Sequence, residues 1–447
     1  MPFVTTQVFC AHVQKAADAP LPEAVSRAAR RSLLNVLGTA IGAARTPAVE
    51  ALLATAAELG ATGAVPVPGR PELLDPEWAA TVTGTAAHLD DFDDTHLATV
   101  IHPGAAVLAA VFALAPETGP DGAAALKAFA LGCEAQLRIG IAISPSHYDR
   151  GWHITGTCGV FGAAVAAAHL LGLDSAQLGH ALGIAATGTL GQREAFGSMT
   201  KPLHPGKAAA VGLFAARLAA AGLTTDEDPL GTGGVLPVFS EPDYDELRRD
   251  WDGTWELEHN AFKPYPCGIV AHPAIDAAIG ASPQVGDPAA ITAVEIRCHR
   301  LVPELMGRLQ PADGLQARFS ARHAAAVGLL DGEVGLRQFS DERATDDDVA
   351  RLRAITELVP DPACPRDSAT ISVIRTGADP VVVHVEHARG SLARPLTDDE
   401  LFTKVDRLVE PVLGAGAARK IAEAVDGLEA ASGIDAVIEA VRPEVAK

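Results

Sequence analysis

The densest group of reactive side chains in this 447-residue sequence lies between His88 and Gly104. There Asp90, Asp91, Asp93 and Asp94 are interleaved with His88, His96 and His102 and with the hydroxyls of Thr95 and Thr99. Carboxylates and imidazoles together supply acids and bases that work near neutral pH, and burying them is costly unless their charges are paired or used. The stretch begins where an apolar helical pattern (Trp78–Leu89) stops. It ends at Pro103-Gly104, ahead of a second such pattern (Ala105–Leu114). Aspartates as helix caps explain single carboxylates here. They do not explain three histidines beside them.

Three further segments carry chemistry-bearing residues. Ser144–Gly159 holds Tyr148 and His153 just before a glycine-rich helix start. Arg193–Lys207 contains Lys201, His204 and Lys207, and Lys263–Pro273 contains Lys263 and His272. Each sets basic or titratable groups at an expected helix entrance, where free backbone N–H groups and the helix dipole already favour an anion. Basic residues are scarce, with 35 Lys and Arg against 56 Asp and Glu. Lys201, Lys207 and Lys263 beside histidines therefore point to a locally positive pocket suited to a small polycarboxylate.

The elements that must position these residues fall into two textures. Apolar residues at helical spacing cover 22–44, 48–59, 78–89, 105–114, 122–141, 159–171, 175–187 and 207–221. Several of these helices are apolar most of the way round, as in the middle of a large bundle. After about residue 260, period-two alternation appears at Ile291–Cys298, Ala369–Thr376 and Val381–His387, the last two joined by a Gly377–Pro380 turn. Helical pieces at 317–330 and 346–356 lie between. A capping box, Thr397 with Glu400, then opens a return to helix through Val441. The expected fold is mainly α with an α+β second domain: 1–260 helical, 261–395 an α+β lid, and 396–447 rejoining the helices.

The net charge of −21 excludes the basic footprint that nucleic acid or an anionic membrane requires. No apolar run has membrane-spanning length, and the first twenty residues lack a basic region followed by a hydrophobic core, so a cytoplasmic protein is expected. Six scattered cysteines without a C-x-x-C pair read as reduced thiols, not as a disulfide framework or zinc site. Neither a phosphate-binding loop nor a dinucleotide fingerprint is evident.

The four segments also resemble, in order, the motifs of the MmgE/PrpD family. Asp91-Phe92-Asp93-Asp94-Thr95 followed by His102-Pro103-Gly104 is similar to D-F-D-D-T…H-P-[SG]. Gly151–Thr157 is similar to G-[FW]-H-x-T-x-T, and Lys201–Gly206 to K-x-[LM]-H-x-G. Lys263…Pro266…His272 and Ala317–Ser320…Leu330–Gly332 match two later landmarks. The family includes 2-methylcitrate dehydratase, cis-aconitate decarboxylase and iminodisuccinate epimerase. The resemblance implies a helical domain built from both chain ends, an α+β lid, a homodimer, no metal, no organic cofactor and a site between the domains. It places Asp91, Thr95, His102, His153, Lys201 and Lys263 on active-site positions.

The chemistry it implies is proton abstraction from carbon next to a carboxylate. In that scheme Lys201 and Lys263 neutralise substrate carboxylates, helped by N–H groups at a helix start near Lys207. His102 and His153 are acid and base, Asp91 orients a histidine or holds substrate through Thr95, and Tyr148 is a second acid. His204 and His272 complete the binding set. Where the decarboxylase has a catalytic histidine this chain has Gly268, and where it has a functional tyrosine this chain has His323. The epimerase also lacks that histidine, and its H-Y-x-x-G-W-H stretch is similar to His147–His153. A hydro-lyase acting on a hydroxy acid is the leading expectation. An epimerase is the runner-up, then a decarboxylase, and outside catalysis a carboxylate-binding protein with a vestigial site.

Overall fold

Alanine and glycine let helices approach closely, and the chain uses them to build a bundle whose central helices are buried on nearly every side. The computed structural model describes residues 4–444 and is mainly α-helical with a smaller α+β domain. The buried helices include Pro76–His88, Pro103–Thr118, Gly122–Ile143 and Ile154–Leu170, with Thr200–Ala220 packed across them. One apolar core runs from Phe9 to Leu257 and resumes from Val405 to Val441, so both ends of the chain share it. The join is tight. A β-carbon on Gly38 or Gly42 of the helix Glu23–Gly42 would stand 3.0 Å from Val405 or Leu408 on the helix Asp398–Leu413.

A second core spans Tyr265 to Val381. Its four-stranded sheet has the spatial order Thr356–Pro360, Ile291–Cys298, Ala369–Arg375, Ala378–Val385, with the first pair parallel and the other two antiparallel. The helix His272–Val285 packs on this sheet, and Ala321–Asp331 packs on that helix. A two-stranded link joins the cores: Asp94–His96 pairs antiparallel with Asn260–Phe262. That link leads directly from the aspartate cluster into Lys263.

Local differences from the expected elements have physical causes. The helix read as starting near Lys207 starts at Thr200, because Pro202 sits in the first turn, where a missing N–H costs nothing. The chain also continues helical through Pro205, and Gly206 packs against the helix Pro76–His88. The helix read from Gly159 starts at Ile154. Gly159 and Gly162 are crossing points, where a β-carbon would meet Ala106 and Ala208 at 3.2 Å or the Gly132 carbonyl at 2.8 Å. The expected helix 317–330 breaks at Ser320, whose Oγ caps the helix Ala321–Asp331 by accepting from the His323 N–H. The strand Thr356–Pro360 was not foreseen, because it follows the helix Asp347–Ala354 with almost no turn. Among the described residues no helix is long and apolar enough to cross a membrane.

Candidate active site

Two helices fix the frame. Pro76–His88 and Thr200–Ala220 cross where a β-carbon on Gly84 would lie 2.8 Å from the Gly206 Cα, and one on Gly206 would lie 2.2 Å from the Thr81 carbonyl. Only two glycines permit this approach. The C-terminal end of one helix, running into Asp90–Asp94, is thereby held against the first turn of the other, which carries Lys201. Asp91 itself has φ of 51°, a left-handed conformation that Asp tolerates better than most residues.

Lys201 Nζ donates to Asp91 Oδ1 at 2.5 Å. Lys263 Nζ lies 3.2 Å from Asp91 Oδ2 and donates to the Asp91 carbonyl at 3.0 Å. All three residues are buried. Burial alone would push the Asp91 carboxyl up, but the two ammonium groups outweigh it and hold the acid well below its usual range. Burial in turn pulls the Lys201 ammonium down, against the attraction of Asp91.

Beside this triad sits a row of imidazoles. Asp93 accepts from His102 Nδ1 at 2.9 Å and from His88 Nδ1 at 2.8 Å, one on each oxygen. His102 Nε2 is thus left bare, 3.7 Å from Asp91 Oδ1. Thr95 Oγ1 lies 3.3 Å from His102 Nδ1. The rings of His88 and His102 meet edge-on with centroids 4.5 Å apart, and His88 stacks on His153 at 5.4 Å. His153 Nδ1 is 2.9 Å from His204 Nδ1, so one of this pair donates to the other. Burial depresses the basicity of all four rings, to about 3 at His88 and about 4 at His204, so they rest neutral at physiological pH. A neutral imidazole is the form that can accept a proton.

These groups border a cavity of about 50 Å³, room for a few waters. Its polar wall is Asp91, Thr95, His102, Tyr148, His153, Lys201 and Lys263. Val100, Phe196, Ile269, Leu305, Met306 and Phe319 supply apolar lining, with the Phe196 and Phe319 ring centroids each 5.3 Å from Lys201 Nζ. Val100 is β-branched yet has φ of 56°. Strain of this kind costs on the order of 1–3 kcal/mol, and here the Val100 N–H bond to the His96 carbonyl and the His96 N–H bond to the Ile101 carbonyl hold it in place. His88, Asp91, Asp93 and His102 offer four ligand atoms within 4.8 Å of one another. The donor set does not suit a divalent ion, because Lys201 and Lys263 already supply positive charge at Asp91.

The MmgE/PrpD N-terminal domain model matches residues 7–247, and the MmgE/PrpD C-terminal domain model matches residues 265–430. The chain belongs to the MmgE/PrpD family. Among curated relatives, it is 28% identical to the mouse cis-aconitate decarboxylase over 433 residues, covering 92% of this chain and 87% of that protein. It is 32% identical to the human cis-aconitate decarboxylase over 308 residues, covering 65% and 63%. The cis-aconitate decarboxylase-like protein oryM of Aspergillus oryzae is 25% identical, with 98% of each chain covered.

Of the residues singled out from sequence in this MmgE/PrpD chain, seven meet at the cavity: Asp91, Thr95, His102, Tyr148, His153, Lys201 and Lys263. His204 stands behind His153 instead of lining the wall. Two placements correct the expectation. Lys207 is exposed well inside its helix, because that helix starts at Thr200, so the helix entrance belongs to Lys201. His272 is buried behind the Lys263–Gly268 turn, its Nε2 3.3 Å from the Cys267 carbonyl and its ring against Tyr265. The residue that orients His102 is Asp93, not Asp91, which is occupied by the two lysines. Asp93 and His88 were missed as site residues. The signal was their place in the same acidic stretch, but nothing in their spacing says which aspartate faces which ring. Gly268 lies at the cavity, where a β-carbon would be 2.4 Å from Met306 Sδ. His323 is away from it, held by the Gln338 carbonyl at 2.7 Å and by Arg353.

Proposed function

We propose that this chain is a cofactor-independent lyase. It takes a proton from carbon next to a carboxylate of a small di- or tricarboxylic acid and expels a β-hydroxyl as water, in the manner of a 2-methylcitrate dehydratase. The observation that carries this reading is a pair of separately supported imidazoles, His102 on Asp93 and His153 on His204, facing one cavity beside two ammonium groups. Water elimination needs both a base for the carbon-bound proton and an acid for the leaving hydroxyl. His102 Nε2, unprotonated in this arrangement, accepts the proton. The electrons pass into the carboxylate, whose growing charge Lys201 and Lys263 stabilise in a site shielded from bulk water. As the carbon–carbon double bond forms, the C–O bond breaks, and Tyr148, whose phenol burial keeps protonated, delivers a proton to the departing oxygen while the neutral His153 ring hydrogen-bonds it. Asp91 holds both lysines in place until substrate carboxylates compete for them.

Decarboxylation of a cis-aconitate-like acid is the second reading, favoured by the names of the mouse and human relatives. Against it, the place of that enzyme's histidine is Gly268 with Met306 filling the space, and His323 points elsewhere. Epimerisation would use the same two imidazoles, one to remove and one to return a proton.

One experiment separates these outcomes. The pure protein is incubated in D₂O with hydroxy-, unsaturated and amino-di- and tricarboxylates and followed by proton NMR. An alkene product from a hydroxy acid supports the proposal. Release of CO₂ or an inverted centre transfers it to the decarboxylase or epimerase reading. Tight binding without any deuterium exchange would leave only a binding protein.

A further inference from the structure

We propose that His96, Glu256 and His259 form a binding site for a divalent transition metal of the zinc class, separate from the cavity. His96 Nε2 lies 3.3 Å and His259 Nδ1 3.4 Å from the same oxygen, Glu256 Oε2. All three ligand atoms fall within 4.8 Å of one another. These separations are long for N–H···O hydrogen bonds, which centre near 2.9–3.0 Å. They match a tetrahedral edge instead: ligands about 2.0–2.2 Å from zinc lie roughly 3.3–3.5 Å apart.

The surroundings fit as well. The other ring nitrogen of His96 is 3.0 Å from Thr99 Oγ1, the kind of outer partner that fixes a metal-binding imidazole in orientation. His96 is buried and Glu256 mostly so, whereas the His259 side chain is 48% exposed, which leaves an entry path and an open coordination position for water. Imidazole and carboxylate donors of this kind suit zinc and its neighbours better than magnesium or calcium.

The position gives the site a consequence. Glu256–His259 is a single turn leading straight into the strand Asn260–Phe262, which pairs with Asp94–His96. A bound ion would rivet together the two strands that carry Thr95 on one side and lead to Lys263 on the other. It touches neither residue.

The test is calorimetric titration of the full-length, chelator-treated protein with zinc chloride at neutral pH, beside His259→Ala and Glu256→Gln, both checked for folding by circular dichroism. Cobalt(II) absorption serves as a second readout of ligand geometry. The expected result is one zinc per chain with a rise in melting temperature, and affinity falling in each variant by at least the roughly 10–100-fold lost when even an outer partner is removed. Absence of zinc binding to the unmodified chain overturns the proposal. So does zinc binding that both variants retain in full, because the ion then sits elsewhere.

Discussion

At the scale of single residues, the site is a contest between burial and pairing, and Asp93 decides it for the histidines. Its carboxylate accepts two ring N–H groups, and their pull outweighs the burial that would otherwise raise it. Asp93→Asn keeps the shape but removes the charge and one acceptor oxygen. Turnover should fall by about 10²–10⁴, the usual worth of an acid–base group, with circular dichroism unchanged. Activity within a few-fold of the parent would show that His102 needs no anchor. His153→Ala should cost a similar factor in steady-state rates; an unchanged rate removes His153 from the chemistry. His323→Ala is the contrast. Its hydrogen bond to the Gln338 carbonyl is structural, so the substitution should cost about 1–3 kcal/mol in urea unfolding and leave the turnover of the folded fraction intact. The residue types of the site were legible because so few clusters in the chain combine acids, imidazoles and lysines. Which acid serves which base was not, since Asp91, Asp93 and Asp94 are near neighbours in sequence yet face two lysines, two imidazoles and a Ser32–Asn260 pair respectively.

At the scale of elements, the placement of Lys201 depends on a helix crossing that two glycines allow. A β-carbon on Gly206 would also stand 2.3 Å from Thr85 Oγ1 as well as against the Thr81 carbonyl. Gly206→Ala should therefore force the helices apart, at a cost of about 1–3 kcal/mol typical of overpacking. By shifting Lys201 away from Asp91 it should also lower kcat beyond what lost stability explains. Denaturant melts and kinetics on the same preparation check both parts. Long apolar helices were readable from their period, as were the hairpin Ala369–Val385 and the Thr397–Glu400 capping box. Two helix starts were misread, at Pro202 and Pro205 and at Gly159, because residues that usually end helices are here used for first-turn entry or close packing. The strand Thr356–Pro360 escaped notice because it follows the helix Asp347–Ala354 with almost no turn to mark the change.

At the scale of the whole molecule, buried neutral histidines set the response to acid. His88 and His272 hold out to about pH 3, and His147, His204 and His323 to about pH 4, in each case chiefly through burial. The unfolded chain protonates such rings near 6.5, so between 6.5 and 3–4 it binds more protons than the folded chain, and stability falls as the pH falls. Asp94 runs the other way. Burial raises its carboxyl to about 6, so the folded chain takes that proton first and gains as the pH drops from 6 towards 3.8. The depressed rings, with His102 and His153 among them, outnumber the raised carboxyls of Asp94 and Glu134 and predict a melting temperature that declines from pH 7 to pH 5; a flat or rising profile by calorimetry would contradict the assignment of these rings as neutral. The shared core has a different kind of consequence. The groove on the helix Glu23–Gly42 that receives Val405 and Leu408 cannot be filled until those residues leave the ribosome, whereas the Tyr265–Val381 core is complete earlier. Synthesis therefore delivers a finished smaller domain alongside a long helical half that is still waiting with an apolar seam open, and it is during that interval that this chain most needs a chaperone.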